Sequence, residues 1–325
     1  MDHWSRRGAI AWLLWPASLL FGVVVFFRRI FFRLRIFKSI HPGIPVIIVG
    51  NITVGGSGKT PLVLWIAERL RAKGWKPGIV LRGYRGTAAE PREATIAADA
   101  GEVGDEPILL ARRSGCPVWV ARERARACAA LRMQHPERDV LVADDGLQHY
   151  ALRRDVEICV VDARGFGNGF LLPAGPLREP VSRLRSVDAV IAHGCDAVHG
   201  YAMRLEGGEL VNLTNAKDVR PAKSFAGQRL HAVAGIGDPA RFFAHLQLLG
   251  LDILPHPFPD HHAFAAADLE FGAGAAIVMT EKDAVKCKRF AKASHWVLPV
   301  RAVLEPAFEA WLLKRLDELR RPKAA

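Results

Sequence analysis

The chain has 325 residues, 50% of them hydrophobic, with 45 Lys and Arg against 33 Asp and Glu and a formal net charge of +12. This supplies apolar side chains for one large or two modest globular domains and excludes a disordered or collagen-like chain. Five scattered cysteines with no C-x-x-C pair exclude a disulfide framework or zinc ribbon and suit a reducing compartment.

Residues 1–40 hold seven basic side chains against one acidic one, so half of the positive excess sits at one end. A diffuse basic surface would suit nucleic acid. A basic cluster beside an apolar run points to anionic lipid instead. The expected partner is therefore a membrane, with neither nucleic acid nor an obligate protein partner. From Ala9 to Phe27 no residue is charged, and those 19 residues approach the length that crosses a bilayer core. The following "RRIFFRLRIFK" interleaves basic and large apolar residues, as an interfacial helix does. A cleavable signal peptide fits less well, because no small-x-small cleavage site follows. Pro16 and Gly22 are candidate breaks in the helix. The arginine-rich flanks place the rest of the chain on the cytoplasmic side of an inner membrane.

"PVIIVGN" reads as a buried parallel strand ending in Gly. "KTPLVLWIAERLRAKG" reads as an amphipathic helix stopped at Gly74. Strands are expected at "KPGIVLRGY", "PVWVA", "DVLVADDG", "DVEICVVDA" and "VDAVIAHG", and helices at "DEPILLARRSG" and "ERARACAALRMQ". This alternation predicts an α/β fold: a P-loop NTPase-like parallel sheet flanked by helices. "MRLEGGELVNL" reads as a hairpin with Gly-Gly at its tip. The division expected is 1–40 membrane-associated, 41–202 P-loop core, 203–225 hairpin linker and 226–325 a smaller C-terminal α/β domain.

Between the first strand and helix lies "GNITVGGSGKT", close to G-x-x-x-x-G-K-[ST] but with Thr53 where the first Gly belongs. Gly55, Gly56 and Gly58 let backbone N–H groups close around phosphate oxygens, and Gly55-Gly56 can supply the tight turn. Thr53, Val54, Gly55, Gly56, Ser57, Gly58, Lys59 and Thr60 are thus the expected ATP-binding residues. Lys59 would reach the terminal phosphates and Thr60 would ligate Mg²⁺. "VLVADDGLQH" ends a buried strand in Asp144 and Asp145, adjacent carboxylates that call for a cation, with Asp144 on the Mg²⁺ side. Asp105 of "GDEP" stands where an N-cap is the ordinary role. "PHPFPDHH" reads as a loop with an Asp–His pair rather than a zinc site. Arg178 and Glu179 sit in a Pro/Gly-rich loop able to reach a phosphate. "TEKD" has Glu281 where guanine selectivity needs Lys, so GTP specificity is not expected.

The ordered set "NITVGGSGKTP", "RGYRG", "GDEP", "ADDGLQH", "GPLREP", "FPDHHAF" and "TEKDAVK" closely resembles the tetraacyldisaccharide 4′-kinase family of lipid A biosynthesis. "TVGGSGKT" is that family's own form of the loop. The resemblance implies transfer of the ATP γ-phosphate to the 4′-hydroxyl of a tetraacylated disaccharide 1-phosphate, giving lipid IVA. It implies two domains with a cleft between them and a two-stranded linker. It makes Asp105 the base, paired with His261 or its neighbour His262. It gives Lys59 and Asp145 catalytic roles, Asp144 and Thr60 the metal, and His149, Arg178 and Glu179 the substrate. A membrane-associated P-loop ATPase without lipid kinase activity is the alternative. Such proteins often carry a Lys just before the glycine pair, where this chain has Val54.

Overall fold

The structure, a computed structural model, describes residues 4–83, 86–195, 200–272 and 274–320. Tyr84 and Arg85 of "RGYRG" lie outside the described residues.

The chain opens with helix α1 (Ala9–Arg33), followed by β1 (Val46–Gly50), α2 (Lys59–Ala72), β2 (Pro77–Leu81) and β3 (Arg92–Glu93). Next come α3 (Ala100–Val103), α4 (Asp105–Ser114), β4 (Val118–Val120), α5 (Arg124–Gln134) and β5 (Val140–Ala143). Then β6 (Val156–Asp162), β7 (Ala189–His193) and β8 (Tyr201–Glu206) complete the first half. The second half holds β9 (Glu209–Asn212), β10 (Val219–Pro221), β11 (Arg229–Ala234), α6 (Pro239–Leu248) and β12 (Asp252–Pro257). It ends with β13 (Ile277–Thr280), α7 (Glu281–Cys287), β14 (His295–Leu298), β15 (Arg301–Leu304) and α8 (Pro306–Arg320).

The larger sheet runs β15-β8-β7-β6-β1-β5-β2-β4-β3. Its seven inner strands are parallel, and only the edges β15 and β3 run antiparallel to their neighbours. Side chains alternate across it as a period of two demands. Ile47 and Val49 join a core with α2, α4 and α8, whereas Val46 and Ile48 join one with α5. The smaller sheet runs β10-β9-β14-β13-β11-β12 and has its own two cores.

The Gly207-Gly208 stretch is not a hairpin tip. β8 pairs with β7 and β15, and β9 pairs with β10 and β14, so the chain passes there from one sheet to the other. It returns between β14 and β15. A Cβ on Gly207 would lie 2.5 Å from the Pro299 carbonyl oxygen, so the two crossings touch and the position admits only Gly. The C-terminal stretch assigned to the smaller domain is corrected accordingly: β15 and α8 belong to the larger one. Phe308, Leu312 and Leu316 are buried in its core. "PHPFPDHH" is not wholly a loop either, since its first residues form β12. That strand tolerates Pro255 and Pro257 because it is the sheet edge.

Helix α1 is continuous through Pro16 and Gly22. Pro16 forgoes one backbone bond without ending the helix. Gly22 is where the helix meets the body, as a Cβ there would stand 3.0 Å from Leu171 Cδ1. Ser18 Oγ donates to the Leu171 carbonyl at 2.8 Å and accepts from the Ala174 amide at 2.9 Å. Trp12 packs edge-on to Phe170, and Arg28 donates to the Gln148 carbonyl at 3.0 Å. The opposite face is bare: Leu13 is 80% exposed and Leu20 67%. It is the one helix among the described residues long and apolar enough to cross a membrane.

Candidate active site

One cleft of about 1280 Å³ runs between the two sheets, bounded by α1. Its walls include Phe21, Val24 and Arg28 of α1, residues 54–60, Asp105, Asp144, Asp145, His261 and Lys282. Sequence-distant motifs therefore meet at the C-terminal ends of the parallel strands, where open α/β sheets bind ligands.

The phosphate loop connects β1 to α2. Gly55 and Gly58 carry its left-handed turns, with φ of 101° and 89°. Thr53 needs no such freedom. It makes an isolated antiparallel bridge with Leu177, and the Val54 amide donates to the Pro176 carbonyl at 2.9 Å. Asn51 Nδ2 braces the loop through Thr53 Oγ1 and the Gly55 carbonyl, both at 3.3 Å. This is why a family loop lacking the first Gly still curls. Lys59 Nζ lies 3.4 Å from the Gly55 carbonyl and 3.5 Å from Asp145 Oδ1, folded back over the cradle.

Asp144 and Asp145 follow β5 and have opposite environments. Thr60 Oγ1 donates to Asp144 Oδ2 at 3.2 Å, while Asp144 Oδ1 is buried with no partner. Burial first, then Glu106, raises the Asp144 carboxyl to about 7. Burial acts on Asp145 too, but Lys59, Arg178 and Arg124 outweigh it and hold that carboxyl well below the usual range. Arg178 Nη1 reaches both Asp145 oxygens at 3.1 Å. Asp145 also has a φ of 48°, unusual outside Gly, and Arg124 secures its turn by donating to the carbonyls of Asp144 and Asp145. No three His, Cys, Asp or Glu side chains form a metal cage among the described residues. Mg²⁺ needs none, as it takes one or two carboxylates with phosphate oxygens and water. An orphaned buried carboxylate oxygen beside a Thr hydroxyl fits it.

Asp105 begins α4 on the other wall. His261 Nδ1 lies 3.2 Å from Asp105 Oδ2, whereas His262 bonds Asp268 at 3.0 Å, so the geometry separates the two neighbours. His261 is held at φ 59°, a second uncommon backbone state. Lys282 Nζ, from α7, stands 3.1 Å from His261 Nε2 and 3.1 Å from Asp260 Oδ1. Lys286 Nζ is 3.7 Å from Asp105 Oδ2. Burial alone would raise the Asp105 carboxyl, but the His261 hydrogen bond, then Lys282 and Lys286, bring it down to about 2. Such a group stabilises the fold above the usual Asp range and loses that contribution as pH falls through about 2. Asp105→Asn is expected to remove a stabilisation on the order of 2 kcal/mol near neutral pH. The deficit should vanish on acidification, as thermal melts between neutral and strongly acid pH will test.

Of the other expected residues, His149 lines the cleft with Nε2 buried and unpartnered. Burial, then Arg124 and Arg154, lowers it to about 4, so its ring is neutral at physiological pH. Glu179 is buried and engaged with the Tyr150 hydroxyl and with Gln148 Nε2 at 3.1 Å. It lines the cleft and braces the "LQHY" turn. Sequence reading passed over Lys282, Lys286 and Arg124. Lys282 was in plain sight within "TEKD", and it stands beside His261.

The model of the family described as LpxK, tetraacyldisaccharide-1-P 4′-kinase, matches residues 10–317. The tetraacyldisaccharide 4′-kinase of Azoarcus sp. is 50% identical over 328 residues, covering 99% of this chain and 96% of that one. The one of Methylobacillus flagellatus is 48% identical over 325 residues, covering 98% and 97%. The crystal structure of LpxK from Aquifex aeolicus in complex with ATP superposes with a TM-score of 0.79 at 26% identity, covering 94% of this chain and 99% of that one. With its loop, paired aspartates and Asp–His couple in one cleft, this chain belongs to the tetraacyldisaccharide-1-P 4′-kinase family.

Proposed function

We propose that the chain transfers the γ-phosphate of ATP to the 4′-hydroxyl of an acylated disaccharide 1-phosphate at the cytoplasmic face of the inner membrane. The observation that carries this reading is the meeting of a phosphate loop and the Asp105–His261 couple across one cleft roofed by an apolar helix. The loop amides and Lys59 cradle the phosphates of ATP. Thr60 and Asp144 would hold Mg²⁺, which neutralises charge on the phosphates when bound. Asp145 keeps Lys59 and Arg178 aimed at the same point. Asp105 accepts the hydrogen of the acceptor hydroxyl and orients it in line. With its carboxyl near 2 it is a weak base, so the proton leaves late, once the oxygen is bonding to phosphorus. Arg28, Arg82 and Arg122 line the cleft with no carboxylate partner among the described residues, a setting for the acceptor's own phosphate.

α1 is held at Trp12, Ser18, Gly22 and Arg28, most of its length, so we read it as lying in the interface, bare face in the lipid, rather than crossing it. The test is purified full-length chain in detergent with Mg²⁺, γ-labelled ATP and the tetraacylated disaccharide 1-phosphate. Label on the 4′ position of the lipid is the expected result. Label released only as inorganic phosphate is the outcome of an ATPase and overturns the proposal.

A further inference from the structure

The phosphate loop is gripped from outside on three successive carbonyls. Asn51, fully buried just after β1, donates from Nδ2 to the Gly55 carbonyl at 3.3 Å. Arg164, in the turn after β6, donates from Nη2 to the Gly56 carbonyl at 2.7 Å. His193, the last residue of β7, is buried with Nδ1 3.0 Å from the Ser57 carbonyl. A carbonyl only accepts, so that ring nitrogen carries the hydrogen. The three neighbouring strands β7, β6 and β1 thus each send one donor from their C-terminal ends to one carbonyl of the loop.

Each brace is itself fixed. Asp162, buried at the end of β6, accepts from Arg164 Nε at 3.1 and 3.0 Å and from Nη2 at 2.6 Å. The guanidinium fills the space beside Gly55, where a Cβ would stand 2.8 Å from Nη1. The His193 ring packs against Gly58, where a Cβ would stand 2.6 Å from Nδ1. Asn51 divides its amide group between the Gly55 carbonyl and Thr53 Oγ1. Glycine at 55 and 58 therefore makes room for the braces as well as for the turn.

In a planar trans peptide the C=O and the following N–H point in opposite directions. Drawing the carbonyls of Gly55, Gly56 and Ser57 toward the braces turns the amides of Gly56, Ser57 and Gly58 the other way. Among the described residues no backbone carbonyl accepts from those three amides. Successive amides aimed at one point bind phosphate oxygens, and they do so best when no reorganisation is needed. We propose that Arg164 and His193, together with Asn51, are positioning residues for phosphoryl transfer, holding these amides aimed before the nucleotide arrives. Lys59 also reaches the Gly55 carbonyl, at 3.4 Å, but leaves it to meet the phosphates, whereas the three braces stay. This rests on the ATP-dependent reading above.

The test is calorimetric titration of ATP and ADP, each with Mg²⁺, into full-length wild type, Arg164→Met, Arg164→Lys, His193→Phe and His193→Gln in detergent. Met and Phe keep bulk and remove the donor, while Lys and Gln restore one. Arg164→Met and His193→Phe should each bind both nucleotides about tenfold more weakly, the loss of one bracing hydrogen bond. The stoichiometry of binding should stay that of wild type, and the KM for the lipid acceptor should not move. Arg164→Lys and His193→Gln should recover part of the affinity. A merely structural role would instead lower the fraction of binding-competent molecules at unchanged Kd, and that result overturns the inference. So does unchanged affinity of Arg164→Met for both nucleotides. That arm stands even where His193→Phe fails to fold, because the Arg164 side chain is 42% exposed. If wild type itself binds no ATP, the functional reading fails, and that result is distinct from Arg164→Met matching an ATP-binding wild type.

Discussion

Asp105→Asn is expected to lower turnover by a factor on the order of 10²–10⁴, the range removed with a positioned general base. ATP affinity should be nearly unchanged, because Asp105 stands on the wall opposite the loop. The substitution preserves shape, and the cations around it keep other partners. Lys282 retains Glu106 and Asp260, and Lys286 retains Asp283. A folded protein is therefore expected, and single-turnover assays with nucleotide-binding measurements separate the two properties. Lys59→Ala is the contrast: it removes a phosphate contact and leaves Asp145 with only Arg178 and Arg124 as cationic neighbours, so affinity and turnover should fall together. Turnover of Asp105→Asn near wild type would remove Asp105 from the reaction.

The second large effect concerns α1. Deleting residues 1–40 is expected to reduce partitioning onto vesicles containing anionic lipid by on the order of 10³-fold or more. Each large apolar side chain withdrawn from lipid costs about 1.5–3 kcal/mol, and several are withdrawn at once. The deletion also strips Phe21, Val24 and Arg28 from the cleft wall. A finer variant separates the roles: Leu13→Glu with Leu20→Glu alters only the bare face. It should impair sedimentation with vesicles while leaving activity on detergent-solubilised acceptor close to wild type. Undiminished vesicle binding by that variant would mean that this face does not contact lipid.

The alternating elements of the larger domain were legible because most of its buried strands are short β-branched runs with Gly, Pro or Asp near their ends. The phosphate loop was legible because strand, glycines and Lys-Thr are contiguous. What escaped was non-local. Nothing in "MRLEGGELVNL" tells that its two arms pair with different sheets, since a strand's partner is chosen by packing elsewhere in the chain. β12 was hidden by its two prolines. His261 and His262 are alike in sequence, and only the turn at φ 59° sends the first toward Asp105 and leaves the second to Asp268.

The return of the chain to its first sheet bears on how the protein is made. Trp65 of α2, the helix that carries Lys59, packs against Phe308 of α8 with ring centroids 5.6 Å apart. The nucleotide-binding half begins near residue 46, yet it cannot close its core until α8 has left the ribosome. A nascent chain stopped just after Leu298 loses the edge strand and the helix behind the phosphate loop, so premature termination there exposes the catalytic domain's interior and does not merely trim a tail.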